Sequence, residues 1–582
     1  MTVADLLRKK VLEEGFGDRD FILFEDERYT WRETYEQAAR YANAFIALRK
    51  RDDVPFHVGV LMENYPEFVF TFLGCALSGA ALVGINTTQR GAGLARDINH
   101  CDCQILITEN KYLDEVMSVK DSFHHVPDDA ILVNNLREQD QTLPPGIPSI
   151  GGKLKELEAQ IGEAFRKDPG VKVDPKAWMM VIFTSGSTGT PKGIMNSHSN
   201  MLASAEVVAE GLQYSKDDVS YAAMPLFHSN STVIALMPAL AVGGKLSMPR
   251  RFTASGFLPQ VRKFGATVFN YVGKPLAFIL STPEKPDDAD NPLRIAVGNG
   301  ASAEHQEEFQ RRFGLDQVIE LFGSTEGGAS TRRAPGDPRG SVGAMPPELK
   351  IMNEKMEECP PAELNEEGKL LNYDQAVGEI LNVEGVGSFE EYYKNPEATA
   401  AKSAGNMFHT GDLAYYRVFE RDGESTRMMY FVGRTDDWIR KDGENFLADP
   451  LEDMVMRFDD VFLCSIFGVP CAQGDEHVMA AIVLSEDRPF DPKKFYDFLT
   501  RQPDISEKWI PDYIRLMNAL PQTDTVKTLR RPLKKDYFNA EKIADAMYWR
   551  ERGEESFKPF SLDDYQKVRG TFVEAGRDDL LI

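Results

Sequence analysis

The sequence predicts an α/β protein with a large N-terminal part and a smaller α+β C-terminal part. Short apolar, β-branched segments alternate with segments of helical periodicity, which is typical of parallel sheets. The chain has 582 residues, more than one hydrophobic core usually serves, so two or more domains are expected. After residue 451 the pattern changes to strands at 461–469 and 477–484 and a helix at 492–499.

The first predicted elements follow one another closely from the N-terminus. A strand at 21–24 leads to a helix that starts after Thr30, because Thr30 and Glu33 form a capping-box pattern, and that runs to Leu48. The apolar window at 68–86 is interrupted by glycines, so a buried helix followed by a strand explains it better than a membrane span. Further predicted elements are a helix at 66–77 and strands at 57–62, 80–85, 104–108 and 131–134.

Composition excludes several classes of protein. The formal net charge is −25, from 66 basic and 91 acidic residues, so the chain is a poor non-specific binder of nucleic acid or of anionic membranes. Its six cysteines are scattered and form no Cys-x-x-Cys pattern, which indicates free thiols in a reducing compartment. The N-terminus lacks the apolar core of a signal peptide, and we therefore expect a cytoplasmic protein without a transmembrane segment.

A glycine- and hydroxyl-rich loop after the apolar run 181–183 carries the strongest functional signal. Its glycines let backbone N–H groups turn toward one point, its hydroxyls add donors and Lys192 adds a positive charge, an inventory that suits a polyphosphate. The template G-x-x-x-x-G-K-[ST] does not fit, because Pro191 and Gly193 occupy positions where it needs Gly and Ser or Thr. A flexible linker is the alternative, which Pro-Lys-Gly between apolar strands disfavours. The loop consists of Thr184, Ser185, Gly186, Ser187, Thr188, Gly189, Thr190, Pro191, Lys192 and Gly193.

Four later strands end in residues that suit a ligand site. In open α/β sheets, ligands bind beyond the carboxyl ends of the strands. Thr325 can donate to a phosphate and Glu326 can hold a magnesium ion, whereas His228 taken alone is more often structural than catalytic. Ordinary tight turns are the alternative for the glycine pairs. The strand ends are Phe227-His228, Tyr271-Val272-Gly273, Gly298-Asn299-Gly300 and Phe322-Gly323-Ser324-Thr325-Glu326-Gly327-Gly328.

Together these motifs resemble the acyl-activating, adenylate-forming enzyme superfamily. Nearly every position of 184–193 fits its phosphate loop, and Phe322-Gly323-x-Thr325-Glu326 fits its aromatic-Gly-x-Thr-Glu pattern. Thr410-Gly411-Asp412 and the segment from Gly433-Arg434 to Gly443-Glu444-Asn445 match two further motifs. The Tyr-Val-Gly and Gly-Asn-Gly pair is similar to the branch of fatty acid transport proteins and very-long-chain acyl-CoA synthetases. The resemblance implies a multi-sheet N-terminal domain over 1–435 and a small mobile domain over 436–582.

The resemblance also assigns roles to residues. Lys527 aligns with the catalytic lysine, although Val526 replaces the usual glycine before it; Lys534 and Lys535 are the competitors, and a solvated basic run is the alternative. Asp436 is the hinge, Gly443 lies on the coenzyme A side and Glu326 binds the metal. The catalytic set is Lys527, Glu326, Thr188 and His228. The implied ATP or AMP ligands are Thr184, Ser185, Gly186, Ser187, Thr188, Gly189, Lys192, Gly298, Asn299, Gly300, Phe322, Gly323, Thr325, Asp412 and Arg434. The acyl pocket is His228, Tyr271, Gly273, Gly327 and Gly328.

The implied activity is an ATP-dependent acyl-CoA synthetase that uses ATP, Mg²⁺ and coenzyme A. The alternatives are an acyl-AMP ligase that passes its product to a carrier protein and a non-catalytic fatty acid binding or transport protein. The pocket segments contain no Lys or Arg, and Gly327 and Gly328 remove side chains, so we expect an apolar monocarboxylic acid with a long or bulky tail. A fatty acid ranks first and a steroid side-chain acid second. A homodimer is expected, and peripheral membrane contact is compatible with the sequence.

Overall fold

The computed structural model places most of the chain in two compact units. It describes residues 1–137, 143–184, 192–272, 274–365, 370–421, 423–434, 438–441, 444–485, 488–502, 507–522, 528–551 and 553–581. The first unit comprises 1–343 with 384–408, and the second comprises 344–383 with 409–582. The boundary expected at residue 435 stays a prediction; the second unit also includes residues 344–383 and 409–434, which the resemblance assigns to the N-terminal domain.

The described ranges contain strands and helices that alternate along most of the chain. The strands are β1 (Asp20–Phe24), β2 (Glu27–Thr30), β3 (His57–Leu61), β4 (Ala81–Gly84), β5 (Cys103–Glu109), β6 (Ile131–Asn134), β7 (Trp178–Thr184), β8 (Lys192–Ser197), β9 (Val219–Ala222), β10 (Lys245–Met248), β11 (Val268–Val272), β12 (Ile295–Asn299), β13 (Gln317–Gly323), β14 (Ser330–Arg332), β15 (Leu349–Met352), β16 (Gly378–Asn382), β17 (Glu391–Tyr392), β18 (Phe408–Arg421), β19 (Glu424–Arg434), β20 (Trp438–Lys441), β21 (Glu444–Leu447), β22 (Val461–Pro470), β23 (Glu476–Leu484), β24 (Tyr513–Leu516), β25 (Ala546–Trp549) and β26 (Lys558–Pro559). The α-helices are α1 (Val3–Arg8), α2 (Trp31–Leu48), α3 (Pro66–Ser78), α4 (Gly91–His100), α5 (Asn110–Val119), α6 (Ile150–Ile161), α7 (His198–Gly211), α8 (Ser229–Ser231), α9 (Met237–Val242), α10 (Ala254–Phe264), α11 (Lys274–Leu280), α12 (Ala303–Phe313), α13 (Tyr373–Ala376), α14 (Pro396–Lys402), α15 (Ala448–Met456), α16 (Pro492–Thr500), α17 (Arg530–Asp536) and α18 (Leu562–Glu574).

The first unit is built on two sheets whose centres are parallel. One has eight strands in the order β14-β13-β12-β11-β9-β10-β1-β2, and the other has seven in the order β17-β8-β7-β4-β3-β5-β6. Antiparallel strands occupy the edges: β14 and β2 in the first sheet, β17 and β8 in the second. The α/β fold class predicted from the sequence is confirmed. The antiparallel edges were not predicted.

Helices α2 and α3 show how sequence pattern becomes packing. Thr30 caps α2 through the predicted reciprocal bonds with Glu33, and the helix buries one apolar face. Every residue of α3 is buried, which explains why its sequence is apolar all round. The window at 68–86 is therefore a buried helix followed by β4, as predicted. Within the described ranges, no helix combines the length and the apolar composition that a membrane span requires.

The second unit combines sheets and helices, and its part after residue 451 is the region for which the sequence predicts an α+β arrangement. It contains a four-stranded sheet in the order β15-β16-β18-β19, the hairpin β20-β21 and a five-stranded sheet in the order β22-β23-β24-β25-β26. The predicted strands at 461–469 and 477–484 correspond to β22 and β23, and the predicted helix at 492–499 corresponds to α16. The six cysteines of the chain are buried and form no disulfide.

Candidate functional site

The phosphate-type loop is the connection of a β-hairpin. Strands β7 and β8 pair antiparallel, and the pair Thr184–Lys192 closes the hairpin where the loop begins and ends. Gly193 allows close packing, because a Cβ there would lie 2.9 Å from Cγ1 of Val181. The loop positions predicted to bind ATP lie outside the described residues, as does the side chain of Thr184. Those positions are Ser185, Gly186, Ser187, Thr188 and Gly189.

Tyr392 joins the end of this loop to the predicted metal ligand. Its hydroxyl donates to Oε1 of Glu326 at 2.7 Å, and Nζ of Lys192 lies 5.3 Å from the centre of its ring. Strand β17 positions the tyrosine, because Tyr392 pairs with Ile194 at the edge of the seven-stranded sheet. Burial and the neighbouring Glu326 carboxylate raise the pKa of Tyr392, so the hydroxyl remains a proton donor. One side chain thus connects a cation and a carboxylate that are far apart in sequence.

Thr325 and the His228 turn also lie together. The hydroxyls of Thr325 and Ser229 are 3.0 Å apart, so one donates to the other. His228 caps the short helix α8, because its Nδ1 accepts the backbone N–H of Asn230 at 3.2 Å. The side chain of His228 is half-buried. Thr325 and the His228 turn therefore lie at the same edge of the eight-stranded sheet.

A buried asparagine network holds the His228 turn above β11. Nδ2 of Asn230 donates to the carbonyl of Tyr271 at 3.1 Å, and Nδ2 of Asn270 donates to Oδ1 of Asn230. Asn64 adds a second anchor, because it donates to the carbonyl of Met224 and accepts the N–H of Leu226. Each of these amides is buried and hydrogen-bonded, which gives the turn a defined position.

The predicted adenine segment Gly298-Asn299-Gly300 packs against a buried carboxylate. A Cβ at Gly298 would lie 2.1 Å from the carbonyl oxygen of Tyr271, and Gly300 has φ +79°, so both positions require glycine. Glu320 on β13 accepts the backbone N–H of Gly300, the hydroxyl of Tyr271 at 2.9 Å and Nε2 of Gln306 at 3.0 Å. The carboxyl group therefore fixes the turn that follows β12.

Glu320 is held in its neutral form near neutral pH. Burial raises its pKa to about 8, more than the hydrogen bonds from Tyr271, Gly300 and Ala301 and the charge of Arg333 lower it. Tyr271 is fully buried and its hydroxyl is bound to Glu320, so in this structure it faces the sheet interior. Its assignment to the acyl pocket stays a prediction.

Gly327 and Gly328 pack closely against neighbouring side chains. A Cβ at Gly328 would lie 2.2 Å from the ring of Phe408, and one at Gly327 would lie 2.4 Å from Oγ of Ser388. The missing side chains thus make room for Phe408 and Ser388, and the entry of a long acyl tail beside these glycines stays a prediction. Gly327 also has φ +71°, which favours glycine.

In the second unit the Thr-Gly-Asp motif lies at the start of β18. Asp412 pairs with Arg434 of β19, and Nε of Arg434 is 3.3 Å from Oδ1 of Asp412. The Asp412 side chain is 9% exposed and that of Arg434 is 48% exposed, so the carboxylate is held and the guanidinium faces solvent. The hydroxyl of Thr410 accepts the backbone N–H of Asp412 at 3.0 Å, which fixes the backbone at Asp412. Gly411, between them, has φ +72°.

Four other predicted residues lie outside the described ranges: Gly273, Asp436, Gly443 and Lys527. Gln522 and Thr528 form an isolated antiparallel bridge on either side of the segment that contains Lys527. The competing Lys534 and Lys535 lie on α17. The predicted nucleotide ligands Phe322 and Gly323 end β13, where Phe322 is buried and Gly323 is exposed.

The fit of a magnesium ion rests on Glu326. In the described part of the chain, no group of three His, Cys, Asp or Glu side chains could hold a metal ion. A magnesium ion bound by Glu326 would therefore complete its octahedral set with water and with oxygens of the nucleotide phosphates, as is usual for this ion. The donor set fits a metal that arrives with its nucleotide.

Sequence reasoning missed Tyr392, Glu320 and Asn270. Tyr392 and its neighbour Tyr393 lie in a charged segment without periodicity, so no local pattern marks either one. Glu320 was visible as a single carboxylate inside an otherwise apolar strand, a signal that could have singled it out. Asn270 was a comparable signal in β11.

Residues 9–393 match the family described as AMP-binding enzyme. The chain belongs to this family. The AMP-binding enzyme is 35% identical to steroid-22-oyl-CoA synthetase of Rhodococcus jostii over 100% of its own length and 99% of that protein. It is 38% identical to a medium/long-chain-fatty-acid–CoA ligase of Mycobacterium marinum over 89% of its length and 94% of that ligase. Long-chain fatty acid transport protein 2 of Rattus norvegicus is 26% identical over 94% of this chain and 88% of that protein.

A solved structure shares the fold of this AMP-binding enzyme. The anthranilate CoA ligase AuaEII in complex with anthranoyl-AMP superposes with a TM-score of 0.75 at 22% identity, over 92% of this chain and 96% of that one. The superfamily resemblance and the fold class drawn from the sequence motifs are confirmed.

Proposed function

We propose that this AMP-binding enzyme is an ATP-dependent acyl-CoA synthetase that forms AMP. The observation that carries the proposal is the contact of Tyr392 with both Lys192 and Glu326. It joins the end of a polyphosphate-type loop to a carboxylate suited to magnesium, which are the two features that a nucleoside triphosphate requires. The names of the relatives, two of which are acyl-CoA ligases, support coenzyme A as the second substrate.

The proposed reaction has two steps. A substrate carboxylate oxygen attacks the α-phosphorus of ATP, the bond to pyrophosphate breaks, and acyl-AMP forms. The thiol of coenzyme A then attacks the acyl carbon, loses its proton, and displaces AMP. Charge shifts between oxygens in both steps, so catalysis consists mainly of positioning and preorganised charge. Magnesium, when bound with ATP, neutralises phosphate charge.

Each site residue has a proposed part in these steps. Lys192 and the loop amides with Thr188 bind phosphates, Thr325 donates to the α-phosphate, and Glu326 holds the magnesium ion. Asp412 accepts the ribose hydroxyls, for which a carboxylate is a suitable bidentate acceptor.

Further roles rest on the motif resemblance. Lys527 stabilises the charge that develops between acid and α-phosphate, and Arg434 contacts the ribose or a phosphate. Asp436 is the hinge of a mobile C-terminal domain, and Gly443 lets the backbone lie beside the arm of coenzyme A. His228 orients the acid.

The proposed substrate is an apolar monocarboxylic acid. The strand-end segments predicted to line the pocket carry no Lys or Arg, so a second carboxylate would be buried without a partner. Each buried methylene contributes about 0.8 kcal/mol, which favours long chains over acetate. The printed names of the relatives point to medium- or long-chain fatty acids and to a steroid side-chain acid. We further propose a cytoplasmic homodimer.

The test is pyrophosphate release with ATP and magnesium across acetate, dodecanoate, longer fatty acids, aromatic acids and a steroid side-chain acid. We expect release with the long or bulky apolar acids, and acyl-CoA when coenzyme A is added. Acyl-AMP that accumulates regardless of coenzyme A would favour the acyl-AMP ligase. Binding without pyrophosphate release would favour a transport protein, and a preference for acetate over dodecanoate would contradict the proposed substrate class.

A further inference from the structure

The second unit contains a cysteine and an aspartate that both lie beside one histidine. Cys471 follows β22, His477 lies near the start of β23, and Asp512 directly precedes β24. The order of the five-stranded sheet brings these three chain positions to one edge, because β23 lies between β22 and β24. None of the three residues belongs to the site described above.

The contacts within the cluster follow the order of a nucleophile, a base and an orienting carboxylate. Cys471 lies two positions after Val469, the register partner of His477, and its sulfur is a neighbour of His477; Nδ1 of His477 lies 3.5 Å from Oδ2 of Asp512. Asp512 is fixed in turn, because Oδ2 accepts the backbone N–H of Val478 at 2.8 Å and Nζ of Lys441 at 2.6 Å. A thiol beside an imidazole that a carboxylate orients is the usual arrangement of an activated cysteine.

The charges around the cluster favour a thiolate paired with an imidazolium. Burial raises the pKa of Cys471, but its hydrogen bond to His477 and the charge of His477 outweigh that effect and lower it overall. Burial lowers the pKa of His477, but the contacts with Asp512 and Cys471 outweigh it and raise the pKa to about 9. Other charged groups also lie nearby. Lys441 donates to Asp512, Arg577 donates to the carbonyl of Cys471, and the carboxylate of Glu476 lies beside Gly468.

The cluster is close to solvent. The His477 side chain is 30% exposed, and Cys471 retains 9% exposure. The thiol of Cys471 donates to Oε1 of Gln473 at 3.0 Å. Because an amide also carries N–H donors, rotation of this side-chain amide by half a turn lets it donate to the thiolate instead. By contrast, burial raises the pKa of Cys75, Cys101, Cys103 and Cys359.

We propose that Cys471 is a redox modification site, a thiolate held by His477 and Asp512 that hydrogen peroxide oxidises to a sulfenic acid. The sulfur attacks one peroxide oxygen, the S–O bond forms and the O–O bond breaks. Sulfur loses two electrons, peroxide gains them, and the leaving hydroxide takes a proton from His477 or solvent to become water. The proposal is independent of the acyl-CoA synthetase activity.

The experiment uses the full chain and the other five cysteines as internal controls. Iodoacetamide alkylation is followed by mass spectrometry at each cysteine between about pH 6 and pH 9.5, a range that brackets the ordinary thiol pKa near 8.5. In parallel, hydrogen peroxide treatment is followed by dimedone, which traps sulfenic acid. We expect Cys471 to alkylate at neutral pH at least about tenfold faster than any other cysteine and to carry the dimedone adduct.

The variant His477→Gln separates activation from simple access. It should lower the alkylation rate of Cys471 about tenfold at neutral pH, whereas the two rates should converge at high pH, where the thiol ionises without help. Cys471→Ser should abolish the dimedone adduct.

Three results would overturn the proposal: a Cys471 rate no higher than that of the other cysteines, no dimedone adduct at Cys471, or a His477→Gln rate equal to the parent rate at neutral pH. If His477→Gln does not fold, the pH profile of the parent chain decides. A midpoint below the ordinary thiol pKa supports the proposal, and a midpoint at or above it contradicts the proposal.

Discussion

Two carboxylates six positions apart, Glu320 on β13 and Glu326 in the turn that follows, have opposite environments. Glu320 is buried in the eight-stranded sheet, where it accepts hydrogen bonds from Tyr271, Gly300 and Gln306, and burial raises its pKa to about 8. Glu326 is half-exposed and accepts one hydrogen bond, from Tyr392, in the described part of the chain. The first is built to stay neutral and hold a turn, and the second is placed to meet a cation.

This contrast shows that chemistry follows from what surrounds a side chain. A neutral carboxyl group can accept backbone N–H groups without the cost of burying a charge, so it suits a structural role inside a sheet. A half-exposed carboxylate can exchange water for a metal ion. The same substitution, Glu to Gln, should therefore have different consequences at the two positions.

The largest effect is expected for Glu326→Gln. The change preserves shape but removes the charge that is proposed to hold the magnesium ion, and loss of one such electrostatic stabiliser lowers the rate by about 10²–10³-fold. The measurement is pyrophosphate release with saturating ATP and a long-chain acid. Glu320→Gln is the matched control and should retain the rate within about threefold near pH 7, where Glu320 is already mostly protonated. Equal losses in the two variants would contradict the assignment of different roles.

Asp412→Asn is expected to weaken ATP binding. Asp412 is the carboxylate held beside Arg434, and its proposed bonds to the ribose hydroxyls are charge-assisted. Hydrogen bonds to a charged group contribute about 1.5–3 kcal/mol, which corresponds to a rise of about 13- to 160-fold in the KM for ATP. The KM for the acid should change little. A lowered thermal midpoint together with an unchanged KM for ATP would show that the pair has only a structural role.

Tyr392→Phe should have a smaller effect. It keeps the ring beside Lys192 but removes the hydroxyl that positions Glu326, and one such hydrogen bond contributes about 0.5–1.5 kcal/mol, or about 2- to 13-fold in rate. The control is Tyr393→Phe, because Tyr393 donates to Asp102, away from Glu326. Comparable losses of pyrophosphate release in both variants would show that the effect comes from disturbing β17.

Local sequence signals predicted much of the fold. The Thr30–Glu33 pattern identified the start of α2, and the strand at 131–134 was predicted with its observed bounds. Such features depend on neighbours within one turn or one strand. The antiparallel edge strands β14 and β17 are short: β14 pairs with β13 after a turn, and β17 pairs with β8, which lies far earlier in the chain. Their own few residues therefore show no pattern that could identify them.

The candidate site was only partly predictable for the same reason. Glu326 and Asp412 belong to recognisable motifs. Glu320 acquires its role from Tyr271 on β11 and Gly300 after β12, and Tyr392 acquires its role from Lys192 and Glu326. These partners meet only when the sheets form. The packing of Phe408 against Gly328 was not predictable, because nothing in the sequence places Phe408 there.

The smallest effect on rate, and the sharpest test of the comparison, is expected for Glu320→Gln. Its signature should appear in stability as a function of pH. The pKa of Glu320 is raised by burial from the ordinary 4.5 to about 8 in the folded chain. Between these values the folded chain keeps a proton that the unfolded chain has lost, so the free energy of unfolding of the parent falls as the pH rises through this window and levels off above it.

Because glutamine does not titrate, the free energy of unfolding of Glu320→Gln does not fall in this way as the pH rises. The variant should be no more stable than the parent at about pH 5 and should gain stability relative to the parent up to about pH 8.5, beyond which the difference is constant. Thermal midpoints of both chains across this range provide the measurement. A difference between the two midpoints that does not change with pH would mean that Glu320 is ionised in the folded chain, and the contrast with Glu326 would then have to rest on geometry alone.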